Sequence, residues 1–275
     1  MPQAAYGIAY TRCTAGATAC PLLPASKGIN INKIKYLCFL FALRLGAVVW
    51  AMVSARSVHA ADTLTIAATG TAMPMLKILI EDFSKGSPEF KATLLYPPAD
   101  SGGAIRGVAT GKVDLGVTSR VPKPDAPGAD LRAVPWVRTA FVIAAHHTDA
   151  ARNYTLPELA AIWSGATVRW PDGQPIRLLL RSADDADLAS LRAMSAEMSR
   201  AVDAALVRPG LPRADHDLNN LEILDKVSGA IGSSTLGLLL SSNSRLSVLT
   251  VGGVTPSVRT LKDGTYPFHL AARTP

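Results

Sequence analysis

The sequence predicts an α/β fold with a mainly parallel sheet, and two observations carry that prediction. Between Thr63 and Arg120 the pattern alternates strand, helix, strand, helix, strand. Each strand-to-helix loop in that run is rich in Gly, Ser or Thr. From residue 61 onward there is no cysteine, so disulfides, thiolate metal sites and a cysteine nucleophile are excluded together. Alternation of this kind points to parallel strands whose carboxyl ends share one edge, where ligands bind.

The chain opens on a leader. Residues 1–60 contain Arg12, Lys27, Lys33, Lys35, Arg44 and Arg56 and neither Asp nor Glu. The whole chain carries a formal charge of +7, and without those six residues the excess of basic over acidic groups falls to one. The basic character therefore belongs to the leader, and no nucleic-acid partner is expected for the folded part. Tyr36 to Ala55 is apolar apart from Arg44, follows Lys33 and Lys35, and ends near Val58-His59-Ala60, which fits the small-residue rule of a signal-peptidase site. A secretory signal peptide is expected, with contact to the membrane only through that segment. The alternative is an uncleaved anchor; Arg44 within the run argues against it. Residues 1–30 read as an upstream extension without periodicity. Cys13, Cys20 and Cys38 all lie in the leader, and none follows a lipid-attachment box at the end of an apolar run. About 215 residues remain, enough for one bilobed protein or two small domains.

Within that remainder, Thr63 to Ala68 alternates like a strand. Gly70-Thr71-Ala72 makes a turn, and Leu76, Leu79, Ile80 and Phe83 fall at helical spacing up to Gly86. Lys91 to Tyr96 is a second strand. Asp100 to Arg120 then reads as a Ser101-Gly102-Gly103 turn, a short helix from Ala104 to Thr110, and a buried strand from Val113 to Val117 ending in Thr118-Ser119-Arg120. Glycines at a helix start let backbone N–H groups approach an anion, although the same residues also serve as simple caps.

Leu131 to Val137 and Phe141 to Ala145 are further strands. His146-His147 invites a metal reading, but adjacent side chains on a strand point to opposite faces and cannot easily share an ion. No metal or cofactor is expected. Thr155-x-x-Glu158 is a capping box for the helix Leu156 to Trp163, and Trp170 to Gly173 turns into the strand Ile176 to Leu180. Arg181 to Asp185 leads into one long helix with Leu188, Leu191, Met194 and Met198 on a single face. The methionines there read as core filler. Asp217 to Val227 is another helix, Gly229 to Gly232 leads into a strand, and Val248 to Val251 precedes the Gly252-Gly253 turn.

Taken in order, several segments resemble the phosphate-binding periplasmic protein family, the substrate-binding components of phosphate-type ABC importers. They are Ile66 to Thr71 before Pro74, Ser101-Gly102-Gly103, Asp114-Leu115-Gly116, Leu159 to Gly165 with Trp170, and Pro175-Ile176 leading to Arg181. Leu224 to Val227, Gly229 to Gly232, Val254-Thr255-Pro256 and Asp263 to Phe268 complete the series. The resemblance implies a type 2 periplasmic-binding-protein fold: two lobes, a two-stranded hinge and a ligand cleft between the lobes. Lobe one is expected over about residues 62–143 and 248–275, lobe two over about 144–247, with crossings near Phe141 to Ala145 and Leu246 to Thr250.

It further implies ligand contacts from Thr71, Ala72, Ser101, Gly102, Gly103, Thr118 and Ser119, with Arg181 from the second lobe. Three places depart from the family. Ser119 stands where phosphate binders often have Asp. The Ser-Gly-Thr helix start that follows the arginine is replaced by Asp185-Ala186-Asp187, with Asp184 before it. These carboxylates are either caps on a solvated face or groups that repel an incoming anion. Tyr commonly follows the Gly-Ile-Gly of the family, and here Ser233 does.

The expected function is an extracytoplasmic solute-binding protein, periplasmic or secreted and monomeric, that delivers a small oxyanion, phosphate first, to an ABC permease. The alternative is a module of the same kind that has lost transport and acts as a ligand sensor or extracellular interaction protein for a non-phosphate ligand. No Ser-His-Asp set, zinc-type His spacing or Walker loop supports an enzyme.

Overall fold

The computed structural model describes residues 7–11, 63–120, 131–148, 152–183 and 185–269. Tyr36 to Ala55, the three cysteines, the proposed cleavage site and Asp184 lie outside them. Among the described residues no helix is long and apolar enough to cross a membrane.

The first sheet contains β1 (Gly7–Thr11), β2 (Leu64–Ala68), β3 (Ala92–Leu94), β4 (Leu115–Thr118) and β5 (Arg132–Val137), in the order β3-β2-β4-β1-β5. As the alternation predicts, β2 runs parallel to both β3 and β4. Helices α1 (Met73–Gly86) and α2 (Ser101–Ala109) follow β2 and β3. Ile66, Ala68, Leu76 and Val117 form one small core, and Ala67, Ala104, Ile105 and Val108 another. β1 is antiparallel to both β4 and β5, so a strand from the upstream extension lies inside the sheet. The sequence reading assigns no element there. Beside it, Pro135 has no N–H to give; it sits in the edge strand β5, opposite Ile8 and next to a register shift.

Four strands make the second sheet: β6 (Phe141–Ala145), β8 (Arg177–Leu178), β11 (Ala230–Thr235) and β12 (Ser247–Val248), in the order β12-β6-β11-β8. β6 is buried along its whole length, which is why it reads as an unbroken apolar run. Its alternate residues feed two cores. Phe141, Ile143 and Ala145 pack with Tyr154, Trp163, Leu188 and Met198, while Val142 and Ala144 pack with Leu238, Leu261 and Tyr266. The two segments expected as lobe crossings meet here, with β6 and β12 antiparallel and Val248 opposite Ala144.

Two short pairs complete the strands: β7 (Asn153–Tyr154) with β13 (Thr250–Val251), and β9 (Leu180–Arg181) with β10 (Arg213–Ala214). The expected strand from Ile176 to Leu180 is therefore two pieces, β8 and β9, that pair with different partners.

The expected long helix is also two: α4 (Ala186–Met194) and α5 (Ala196–Val207), after α3 (Leu156–Ser164). The break is at Ser195, which is extended and whose Oγ accepts the Met198 N–H as the N-cap of α5. Met198 is fully buried, as core filler should be. α6 (Asp217–Lys226) agrees with expectation. α7 (Leu236–Ser241) and α8 (Val258–Lys262) were not anticipated, although Thr235 and Ser257 cap them.

The capping box on α3 is complete. Thr155 Oγ1 accepts the Glu158 N–H at 3.4 Å, and Glu158 Oε2 accepts the Thr155 N–H at 2.8 Å. That Thr155 N–H and the Thr155 hydroxyl, which donates to Glu158 Oε2 at 2.9 Å, together hold the Glu158 carboxyl below its ordinary value. Thr155→Ala is expected to cost about 1 kcal/mol, seen as a fall in Tm of roughly 2–4 °C in a thermal unfolding scan.

Candidate functional site

The carboxyl ends of β2, β3 and β4 bring three loops to one edge. Ala99 N–H reaches Ala68 O, and Thr69 N–H reaches Val117 O, tying each loop to its neighbour. The loops that carry Thr71, Ser101 and Ser119 are neighbours, and two of these residues touch. Ser101 Oγ lies 3.2 Å from Ser119 Oγ, and the Ser119 N–H donates to Ser101 Oγ at 3.4 Å. Ser101-Gly102-Gly103 is not a turn ahead of the helix but its first turn, because Asp100 is the N-cap and accepts the Gly103 N–H. Arg106 and Arg120 flank Gly102, their guanidinium nitrogens 3.1 and 3.4 Å from where a Cβ would stand there. Two cations beside a helix start favour negative charge at this edge.

Several of the expected contact groups already have partners inside the chain. The Ala72 N–H donates to Thr69 O, and Thr118 Oγ1 donates to Arg120 O at 2.7 Å. Gly103 gives its N–H to Asp100. These groups shape the edge, and Ser101 and Ser119 are left as its paired hydroxyls.

Arg181 enters from the other side, at the end of β9. It is buried, with 3% of its surface exposed. Its Nη2 donates to Asp185 Oδ2 at 2.7 Å and to Asp217 Oδ1 at 3.3 Å, and its Nη1 donates to Ala214 O at 3.3 Å. Nε has no hydrogen-bond partner among the described residues. Burial alone lowers the pKa of this guanidinium, but attraction from Asp217, Asp185 and Asp187 outweighs it and the net shift is upward.

Asp217 joins the two sides. While Oδ1 faces Arg181, Oδ2 accepts the Thr71 N–H at 2.8 Å. α1 has no side-chain cap of its own, since Ala72 stands at its N-cap position. The Thr71 amide and the Arg181 guanidinium, both expected to meet a ligand, meet one carboxylate instead. Sequence reasoning missed Asp217. It was visible only as the first residue of α6, after His216, whose Nδ1 accepts the Asn219 N–H as the cap.

The Asp-rich start of α4 divides into two roles. Asp185 is its N-cap, accepting the Asp187 N–H at 2.9 Å, and burial raises its pKa despite Arg181. Asp187 is not on a solvated face. It is 4% exposed and accepts from Ser233 Oγ at 2.9 Å. Burial first, then the nearby Asp185 and Asp217 charges, push its carboxyl up to about 8, against the pull of Arg181 and Ser233. Asp187 and Ser233, read separately as departures from the family, are therefore one hydrogen-bonded pair.

His146 and His147 separate as expected. His146 is exposed, whereas His147 is buried, stacked on Trp170 at 4.5 Å and 3.0 Å from Asp172 Oδ2. Among the described residues no group of His, Cys, Asp and Glu could hold a metal ion.

Residues 53–273 match the family model of the PBP superfamily domain. No curated protein sequence matches the chain. Among solved structures, one similar chain is from Clostridium perfringens and is described as a phosphate ABC transporter substrate-binding protein with bound phosphate. It is 18% identical, with a TM-score of 0.60 over 76% of this chain and 83% of that one. An ABC-type phosphate transport receptor from Vibrio cholerae is also 18% identical, with a TM-score of 0.50 over 75% of this chain and 83% of its own. At that identity the likeness is one of fold.

Proposed function

From a chain that belongs to the periplasmic-binding-protein superfamily, we infer an extracytoplasmic solute-binding protein, without enzymatic activity, that captures a small oxyanion for an ABC importer. Phosphate is the first candidate. One observation carries this reading: a backbone N–H at the β2–α1 loop and a buried arginine from the other side converge on a single carboxylate. Two donors of that kind, from separate parts of a chain, define an oxyanion position. The Ser101 and Ser119 hydroxyls on the neighbouring loops extend the donor set.

The reading includes two lobes, over about residues 62–143 with 248–275 and about 144–247, that close around the ligand through the antiparallel pair β6 and β12. A periplasmic or secreted location, a signal peptide and an ABC permease partner belong to the same proposal. The phosphate named for the Clostridium perfringens relative supports the ligand.

A second reading is favoured by the carboxylates. Asp185 and Asp217 both bond Arg181, so its charge is already matched. A ligand other than phosphate, sensed rather than transported, suits a site built this way.

Calorimetric titration and thermal unfolding of the full chain with phosphate, sulfate, molybdate, amino acids and sugars separate the two. Phosphate at 100 times its Kd is expected to add about 2.7 kcal/mol of stability, and the gain should vanish in Ser101→Ala and Arg181→Ala. A response to none of the oxyanions, with a response to another solute, favours the second reading.

A further inference from the structure

We propose that Asp217 is a built-in oxyanion, a tethered carboxylate that holds the ligand position in the empty protein and sets which ligands can displace it. The proposal rests on the reading of this position as an oxyanion site. Each oxygen of Asp217 has one of the two converging donors: Oδ2 has the Thr71 N–H at 2.8 Å, and Oδ1 has Arg181 Nη2 at 3.3 Å. The contact spans 146 residues of sequence. It is not a local cap that any helix start would recruit.

The chain is shaped to permit this approach. A Cβ built on Gly70 would stand 2.9 Å from Asp217 Cβ and 3.0 Å from its Oδ2, so only glycine lets the carboxylate come so close. Behind it, Asp185 takes the remaining side of the same Arg181 nitrogen at 2.7 Å. The buried Asp187 adds a third carboxyl to the surroundings of one guanidinium.

An external oxyanion that uses the Thr71 N–H and Arg181 Nη2 must expel Asp217 first, because both of these donors are already engaged by it. Like charges at that distance repel, so Asp217 cannot stay and share the site. Occupancy by the tether has two effects. It keeps the β2–α1 loop linked to Arg181 when no ligand is present, and it lowers the apparent affinity for an anion by the fraction of time the tether is in place. Ligands able to displace it offer more than one carboxylate does, such as the additional oxygens of phosphate that reach toward Ser101 and Ser119.

The test reads the tether and the ligand separately. Hydrogen exchange at the Thr71 amide is measured in the full chain without ligand, for wild type, Asp217→Ala and Gly70→Ala. The second variant leaves the carboxylate in place but pushes it away, and it serves if the first folds poorly. Exchange at Thr71 is expected to quicken by about tenfold or more in both, corresponding to the loss of a hydrogen bond to a charged group. Phosphate binding to Asp217→Asn is then measured by calorimetric titration. Affinity is expected to rise on the order of tenfold over wild type as the competing charge disappears. Unchanged Thr71 exchange in Asp217→Ala and Gly70→Ala overturns the tether, even if wild type binds phosphate. Faster exchange with no binding of phosphate, sulfate or molybdate by Asp217→Asn instead overturns the oxyanion reading of the position, and with it the competition.

Discussion

Arg181→Ala is expected to destabilise the protein by about 3–5 kcal/mol, the range for removing one partner from a buried charge cluster. In a thermal scan this corresponds to a fall in Tm of roughly 6–20 °C. Among the described residues the arginine is the one cation bonded to Asp185 and Asp217, and its charge also offsets the buried Asp187. Without it, three carboxyls share a poorly solvated space. The same change made in an Asp185→Asn, Asp217→Asn background should cost markedly less, since the repulsion it exposes is already reduced. A double-mutant cycle read from urea midpoints measures the difference. Equal costs in the two backgrounds would show that packing of the arginine stem, not its charge, is what the site needs.

The second large effect is on pH dependence. The unfolded chain ionises Asp187 near the ordinary value for aspartate, 3.8, while the folded chain does so only near 8. Between those values the folded state holds the extra proton. The contribution of Asp187 to stability is therefore full below about pH 4, falls as the pH rises, and is lost above about 8. Asp187→Asn removes the titrating group and keeps an oxygen to accept from Ser233 Oγ. Urea unfolding at pH 5 and pH 8 is expected to show a smaller loss of stability with pH in this variant than in wild type. An identical pH slope in the two proteins would mean that Asp187 does not hold its proton through this range. Ser233→Ala removes a bond that favours the charged form and should raise the Asp187 pKa further.

The parts of the fold that were legible in the sequence are those written locally. Each β-α unit of the first sheet has its period, its small-residue loop and its stop, so the parallel run of these strands and the gathering of their loops at one edge followed from pattern. The division at Ser195 was less visible, because Leu188, Leu191, Met194 and Met198 keep a helical spacing straight across it. α7 was hidden inside an apolar run, Leu236 to Leu240, that periodicity alone cannot assign.

The site was half legible. Arg181 and the unusual acids after it were apparent in the sequence, and so was Ser233. What the sequence did not disclose is how they combine. Asp187 could not be matched to Ser233, nor Asp217 to Thr71, because both contacts join distant segments through the fold and leave no spacing to read. Asp217 in particular looked like an ordinary acidic residue in the first turn of a helix, a position where such residues are common for reasons of the helix dipole alone.

Strand β1 is the earliest of the described elements to be synthesised, and it lies between two strands made much later, with Ile8 opposite both Thr118 and Pro135. The first sheet cannot close until more than a hundred further residues exist, which makes its completion a late, non-local step of folding. A cut at the small-residue site around Val58 to Ala60 would also change what β1 is. It would leave the mature chain with the leader, and β4 and β5 would each keep an edge where it now pairs. The place between them fits any extended segment able to pair with β4 on one side and β5 on the other.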